Sequence, residues 1–98
     1  MDENRRFNRL YAEGAGKAVV TCAGIQDEAE ILDVSAGGMR VHLRRSLDMG
    51  AVIYGEFKVF PKGGPFFVKG KVIRIAQKGN AFETVIEFEK VSTIPLAG

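Results

Sequence analysis

The sequence predicts an all-β domain: a six-stranded antiparallel β-barrel preceded by a flexible, arginine-bearing N-terminal arm. Three observations lead there. Apolar residues recur at every second position in segment after segment, and no stretch sustains a convincing 3.6-residue period. Turn-forming clusters separate those segments, among them SAGG, PKGGP and QKGN. A chain of 98 residues, 46% apolar and 27% charged, suits one domain with one modest core. Six strands with one apolar face each can bury those faces by closing on themselves, which also removes exposed sheet edges.

Residues 1–12 read as the arm, with Arg5, Arg6 and Arg9 inside five positions. Its arginines repel one another and it has little apolar surface to bury, so it is expected to be mobile when free. The barrel is expected over 13–92. Residues 17–23, KAVVTCA, are short, β-branched and apolar, and read as the first strand. Residues 27–34, DEAEILDV, end in the second. MRVHL at 39–43 alternates cleanly, with Met39, Val41 and Leu43 facing one way and Arg40, His42 and Arg44 the other. Residues 51–60 continue the pattern: Ile53, Phe57 and Val59 on one face, Tyr54, Glu56 and Lys58 opposite. Residues 66–75, FFVKGKVIRI, form a long strand in which Gly70 marks a bulge or bend. Residues 81–89 place Phe82, Thr84, Ile86 and Phe88 together. The tail, 93–98, is too short for a stable helix, and Pro95 discourages one.

Composition narrows the function classes. A net charge of +2 is too small for bulk attraction to nucleic acid, so a nucleic-acid partner is not expected. One cysteine, Cys22, excludes an intramolecular disulfide, and its apolar strand reads as a setting for a buried, inert thiol. No apolar stretch follows the charged start as a signal peptide requires, and no apolar run suits a membrane span. The expected location is the cytoplasm, without membrane insertion. GAGK at 14–17 has the look of the end of a phosphate-binding loop. However, Ala18 stands where Ser or Thr is needed, and a strand follows instead of a helix. His42, the one histidine, lies on a polar strand face and reads as solvated. Ser35, His42 and Asp33 lack a strained nucleophile elbow. No catalytic residues, no metal site and no cofactor are therefore expected.

The informative segment is DVSAGGMRV, residues 33–41. Asp33 and Ser35, two apart at the end of a strand, point to the same side, and Gly37 and Gly38 follow. Alone, this reads as an ordinary polar turn between strands. Taken with Arg5-x-x-x-Arg9 about two dozen residues upstream, in an otherwise all-β chain, it resembles the PilZ domain family. The paired signature of that family is R-x-x-x-R followed by [DN]-x-S-x-x-G. Both halves match without a gap, and the resemblance covers roughly residues 4–90.

The resemblance implies a PilZ-like split β-barrel that receives the bacterial second messenger cyclic di-GMP. It assigns Arg5 and Arg9 as base and phosphate contacts and Arg6 as a further phosphate contact. Asp33 would accept from guanine N1–H and N2–H, and Ser35 would donate to a phosphate or a base. Gly38 would leave room for the ligand, with Gly37 assisting. The chemistry suits the ligand. A guanidinium pairs bidentately with guanine O6 and N7 and stacks on base faces. The implied action is that of a stand-alone adaptor: the arm orders over the ligand and the altered surface meets an unidentified effector protein.

The sequence departs from the family in three places. Val85 and Ile86 stand where small residues are common, two positions before the last-strand phenylalanine. No C-terminal helix follows Val91, which implies an open barrel end or a surface completed by a partner. Asn4 precedes the first motif arginine, which favours one ligand molecule over a stacked pair. Two rival readings are a degenerate PilZ-like protein-interaction module that does not bind the nucleotide and a small oligonucleotide-binding barrel. The second wants exposed aromatics, for which Tyr54 is the one obvious candidate, because the seven phenylalanines mostly alternate into the core.

Overall fold

The computed structural model describes residues 16–58 and 65–96. Arg5, Arg6, Arg9, Asn4, Val59 and most of the PKGGP turn lie outside them. The described chain holds six strands and no helix: β1 (Lys17–Cys22), β2 (Ile25–Ser35), β3 (Gly38–Leu43), β4 (Val52–Lys58), β5 (Pro65–Lys78) and β6 (Ala81–Ser92). All pair antiparallel in the closed order β1-β2-β3-β6-β5-β4, and β4 returns to β1.

The hairpin turns set the strand ends. Ala23 (φ 53°) and Gly24 (φ 81°) both adopt positive φ, as a two-residue hairpin turn of the primed type requires. That turn ends β1 at Cys22 and starts β2 at Ile25, two residues before the expected strand. The first half of β2 faces water on one side with Gln26 and Glu28, which hides its alternation in the sequence. At the other end, Gly79 (φ 62°) and Asn80 make the whole β5–β6 turn, with Lys78 opposite Ala81. Gln77 and Lys78 therefore belong to β5, and β6 runs on to Ser92.

The inward faces follow the expected period of two. Met39, Val41, Leu43, Ile53, Phe57 and Ile86 are buried, and Thr84 is buried among them with its hydroxyl donating to the Phe82 carbonyl at 3.2 Å. Ala18, Val20, Ile31, Val34, Val68 and Val72 complete the barrel interior. A barrel this narrow is filled by its own side chains, which leaves the outer surface as the place for a ligand. The β3–β4 connection crosses one barrel end. Buried Leu47 closes that end, and Arg45 fastens the connection to β2 by donating twice to Asp27 Oδ2, at 2.9 and 2.6 Å.

Cys22 departs from the expected burial: it is half-buried at the rim of the core, because the chain turns outward immediately after it. The described phenylalanines mostly turn inward, as expected: Phe82 stands opposite buried Leu43, and Phe57 is buried. Phe66 and Phe88 stack against it at centroid distances of 6.0 and 6.1 Å, whereas Phe67, opposite outward-facing Glu56, lies on the outer wall.

Gly70 marks a register shift between β5 and β6, as its place inside a strand suggests. A Cβ there would lie 2.5 Å from the Glu87 carbonyl oxygen. On the opposite flank of β6, a Cβ on Gly38 would lie 2.4 Å from the Ile86 carbonyl oxygen. Strand β6 is thus pinched at Ile86–Glu87 between two glycines, one on each neighbouring strand. The family's small residue near this point is replaced here by Ile86, whose side chain is fully buried.

Candidate functional site

The site is built on the β2–β3 hairpin, and a bulge decides which way it faces. Ala29 and Ile31 point into the core. A strict period of two would send the Asp33 carboxylate in after them, where an unpaired charge is very costly. Instead the register shifts between Ile31 and Asp33: Ile31 faces Val41, whereas Asp33 faces Arg40. Val34 turns inward at 2% exposure, so Asp33 and Ser35 on either side of it face out. Their shared face is as expected, and it is the outer barrel wall.

On that wall Arg40 of β3 reaches in two directions. Its Nη2 donates to Asp33 Oδ2 of β2 at 2.6 Å, and its Nη1 donates to Glu83 Oε2 of β6 at 3.2 Å. The hydrogen bond to Asp33, followed by that residue's charge, raises the Arg40 pKa above its ordinary range; burial opposes them with a smaller effect, and Glu83 adds in the raising direction. The Arg40 and Asp33 side chains keep 46% and 36% of their exposure, so the pair is open to a ligand from solvent. A pair this exposed contributes at most about 1 kcal/mol to stability.

Ser35 sits opposite Gly38 across the tight turn. Its Oγ donates to the Gly38 carbonyl over a long 3.4 Å. Gly37, in the turn itself, has open space around its missing side chain and an ordinary φ. Gly38 is different: the space its side chain would fill is taken by the β6 backbone. The room expected there for a ligand is thus used for strand packing.

Two pairs further along the ladder from Asp33–Arg40, His42 Nδ1 lies 3.9 Å from Glu30 Oε1. Beyond them an open groove of about 540 Å³ is lined by Lys17, Glu28, His42, Arg44, Lys78 and Asn80, among others. Lys17 is the first residue of β1. The residue before it, Gly16, accepts the Ile31 N–H at 3.0 Å. The chain therefore joins the barrel beside the segment that leads into Asp33. Elsewhere on the outer wall, half-buried Tyr54 lines a second, smaller groove with Val19, Phe67, Pro95 and Leu96.

The hairpin brings Asp33, Ser35, Gly37 and Gly38 together; Arg5, Arg6 and Arg9 lie outside the described residues. Sequence reasoning missed Arg40 and Glu83. Arg40 was within reach: a two-residue turn at 36–37 pairs Ser35 with Gly38, and counting back twice gives Asp33 opposite Arg40. Glu83 arrives through a long-range pairing that nothing local announces.

A small closed barrel, filled within and carrying its polar cluster on an outer wall, is the architecture of a surface-binding domain. The PilZ domain family model matches residues 3–95, nearly the whole chain, and the protein belongs to that family. PilZ domains are known as cyclic di-GMP receptors and are binding domains, not catalytic ones. Among curated proteins nothing matches the chain significantly. No helix among the described residues is long and apolar enough to cross a membrane.

Proposed function

We propose that this protein binds cyclic di-GMP on the outer wall of the β2–β3 hairpin and passes the signal on as an adaptor, through contact with an effector protein. In this reading Arg5 and Arg9 take base and phosphate contacts, with Arg6 as an extra phosphate contact. Asp33 accepts from a guanine edge, Ser35 donates to a phosphate or base, and Gly37 lets the turn approach the ligand. Gly38 acts indirectly, by letting β3 lie close to β6. No cofactor is required. The arm over 1–12 and the barrel from 13 act as two parts of one site.

The observation that carries this reading is where β1 begins. Gly16 is hydrogen-bonded to Ile31, two positions before Asp33. Seven residue steps separate Arg9 from Gly16, so covalent geometry lets Arg9 reach at most about 25 Å from that point. Asp33 lies only about 7 Å along the strand from Ile31. Along the neighbouring groove Lys17, Arg44 and Lys78 outnumber Glu28 and Glu30, which leaves a modest favourable potential for a dianion.

Calorimetric titration with cyclic di-GMP tests the proposal. Saturable binding supports it; no heat and no binding by a second method would favour the ligand-blind interaction module. Binding of single-stranded DNA that weakens steeply with salt would favour the oligonucleotide reading.

A further inference from the structure

We propose that Arg40, tethered by Glu83, is a positioning residue that aims the Asp33 carboxylate at a guanine edge and so sets selectivity for guanine. This rests on the cyclic di-GMP reading and extends it to two residues outside both signature motifs.

The geometry has three parts. First, Arg40 is fastened to strands on both sides of its own, to Asp33 at 2.6 Å and Glu83 at 3.2 Å. A planar guanidinium held at two corners has little freedom to swing. Second, its contact with Asp33 uses one carboxylate oxygen, Oδ2. A carboxylate offers about four lone-pair sites. Among the described residues no other hydrogen bond reaches this carboxylate, so Oδ1 and the second lone pair of Oδ2 are available to the paired N1–H and N2–H donors of guanine. Third, the pairing is exposed and faces the wall beside which the chain joins the barrel. A carboxylate fixed before the ligand arrives loses less rotamer entropy on binding. Held in that place it also rejects adenine, which presents an acceptor at ring N1.

The competing view is that Arg40 is only a counterion that the ligand displaces. The tether to Glu83 and the use of a single Asp33 oxygen by Arg40 argue against it. Charge alone must also be separated from positioning, since Arg40 stands beside a dianionic ligand. Glu83 does this. Neutralising it removes a negative charge, which by itself tightens anion binding, yet it also releases Arg40.

The test titrates the full chain and its Arg40→Met and Glu83→Gln variants with cyclic di-GMP and with the di-inosine analogue, which lacks the exocyclic 2-amino group. Thermal melts check that each variant is folded; both positions lie on the outer wall. Arg40→Met is expected to bind cyclic di-GMP about tenfold more weakly, and its preference over the inosine analogue falls. Glu83→Gln moves both quantities in the same direction, by about threefold. An unchanged preference in the variants overturns the positioning role, as does tighter binding by either one. Wild type that fails to bind cyclic di-GMP overturns the receptor reading and this inference with it. Wild type that binds alongside variants that match it overturns this inference alone.

Discussion

Replacing Gly38 with alanine separates barrel closure from ligand clearance. The added Cβ would sit 2.4 Å from the Ile86 carbonyl oxygen, and real Cβ atoms essentially never come closer than 3.0 Å to a neighbour, so β3 and β6 must part by at least 0.6 Å (3.0 − 2.4). Neither side is the loose end of a side chain. Gly38 is paired with Glu87, and the Phe88 N–H donates to the Gly37 carbonyl at 2.8 Å. Overpacking against backbone costs about 1–3 kcal/mol, and one weakened ladder hydrogen bond adds about 1 kcal/mol. A loss of about 2–4 kcal/mol is a large share of the stability of so small a domain. It corresponds to a fall in Tm on the order of 10–25 °C. Gly37→Ala is the control. Nothing lies within 4 Å of its added Cβ and its φ is ordinary, so its stability stays within about 0.5 kcal/mol of wild type or rises slightly. The assay is urea denaturation, read as a shift in midpoint at constant slope. If Gly38→Ala unfolds at the wild-type midpoint, the pinch at β6 is not what keeps this position small, and ligand clearance regains its claim.

The remaining predictions concern both the barrel and the ligand. Gly70→Ala places a Cβ 2.5 Å from the Glu87 carbonyl oxygen and is expected to destabilise by about 1–3 kcal/mol in the same urea assay. Arg9→Ala is expected to weaken cyclic di-GMP binding by about 1–3 kcal/mol, the worth of a bidentate guanine contact, and unchanged affinity by calorimetry counts against its assigned role. Asp33→Ala removes the acceptor for the guanine edge altogether. It is expected to cost at least as much in binding, while the melt shows a stability change below about 1 kcal/mol, since the ion pair it breaks is exposed.

Most of the barrel is legible because burial on one side writes a period of two into the chain. Met39, Val41 and Leu43, or Ile53 and Phe57, need no structure to be assigned inward. The pattern fails where both faces of a strand carry mixed residues, as in Ile25–Glu28, and where a bulge changes its phase. The bulge before Asp33 is the important case: extrapolating from Ala29 and Ile31 puts Asp33 in the core, and only the two apolar neighbours Leu32 and Val34 hint at the slip. The signature motifs located the hairpin, yet they do not reveal that the β6 backbone lies against Gly38. A motif states that a position must be glycine; it does not say whether ligand or neighbouring strand takes the space. Phe67 shows the same limit, since an aromatic in a strand of large apolar residues is read as core until register places it opposite Glu56.

The closed barrel also constrains how a bound ligand can be sensed. Each of the six strands is paired on both sides, and the interior is filled by interlocking apolar side chains. A packed core of this kind does not deform gradually, and opening a ladder would expose paired backbone at a cost no small ligand offsets. A ligand on the outer wall therefore has little leverage over the barrel itself. What it can bias is what lies outside: the Asp33–Arg40–Glu83 cluster, held among the described residues by two hydrogen bonds, and the segment that joins the barrel at Gly16. On the receptor reading, the signal is a change of surface over an unchanged frame. Amide exchange then follows a definite pattern: binding adds protection near the β2–β3 hairpin and before Gly16, while β4 and the core of β5 exchange as before. Protection spread evenly over all six strands would mean that the barrel itself responds, and the argument from closure would fall.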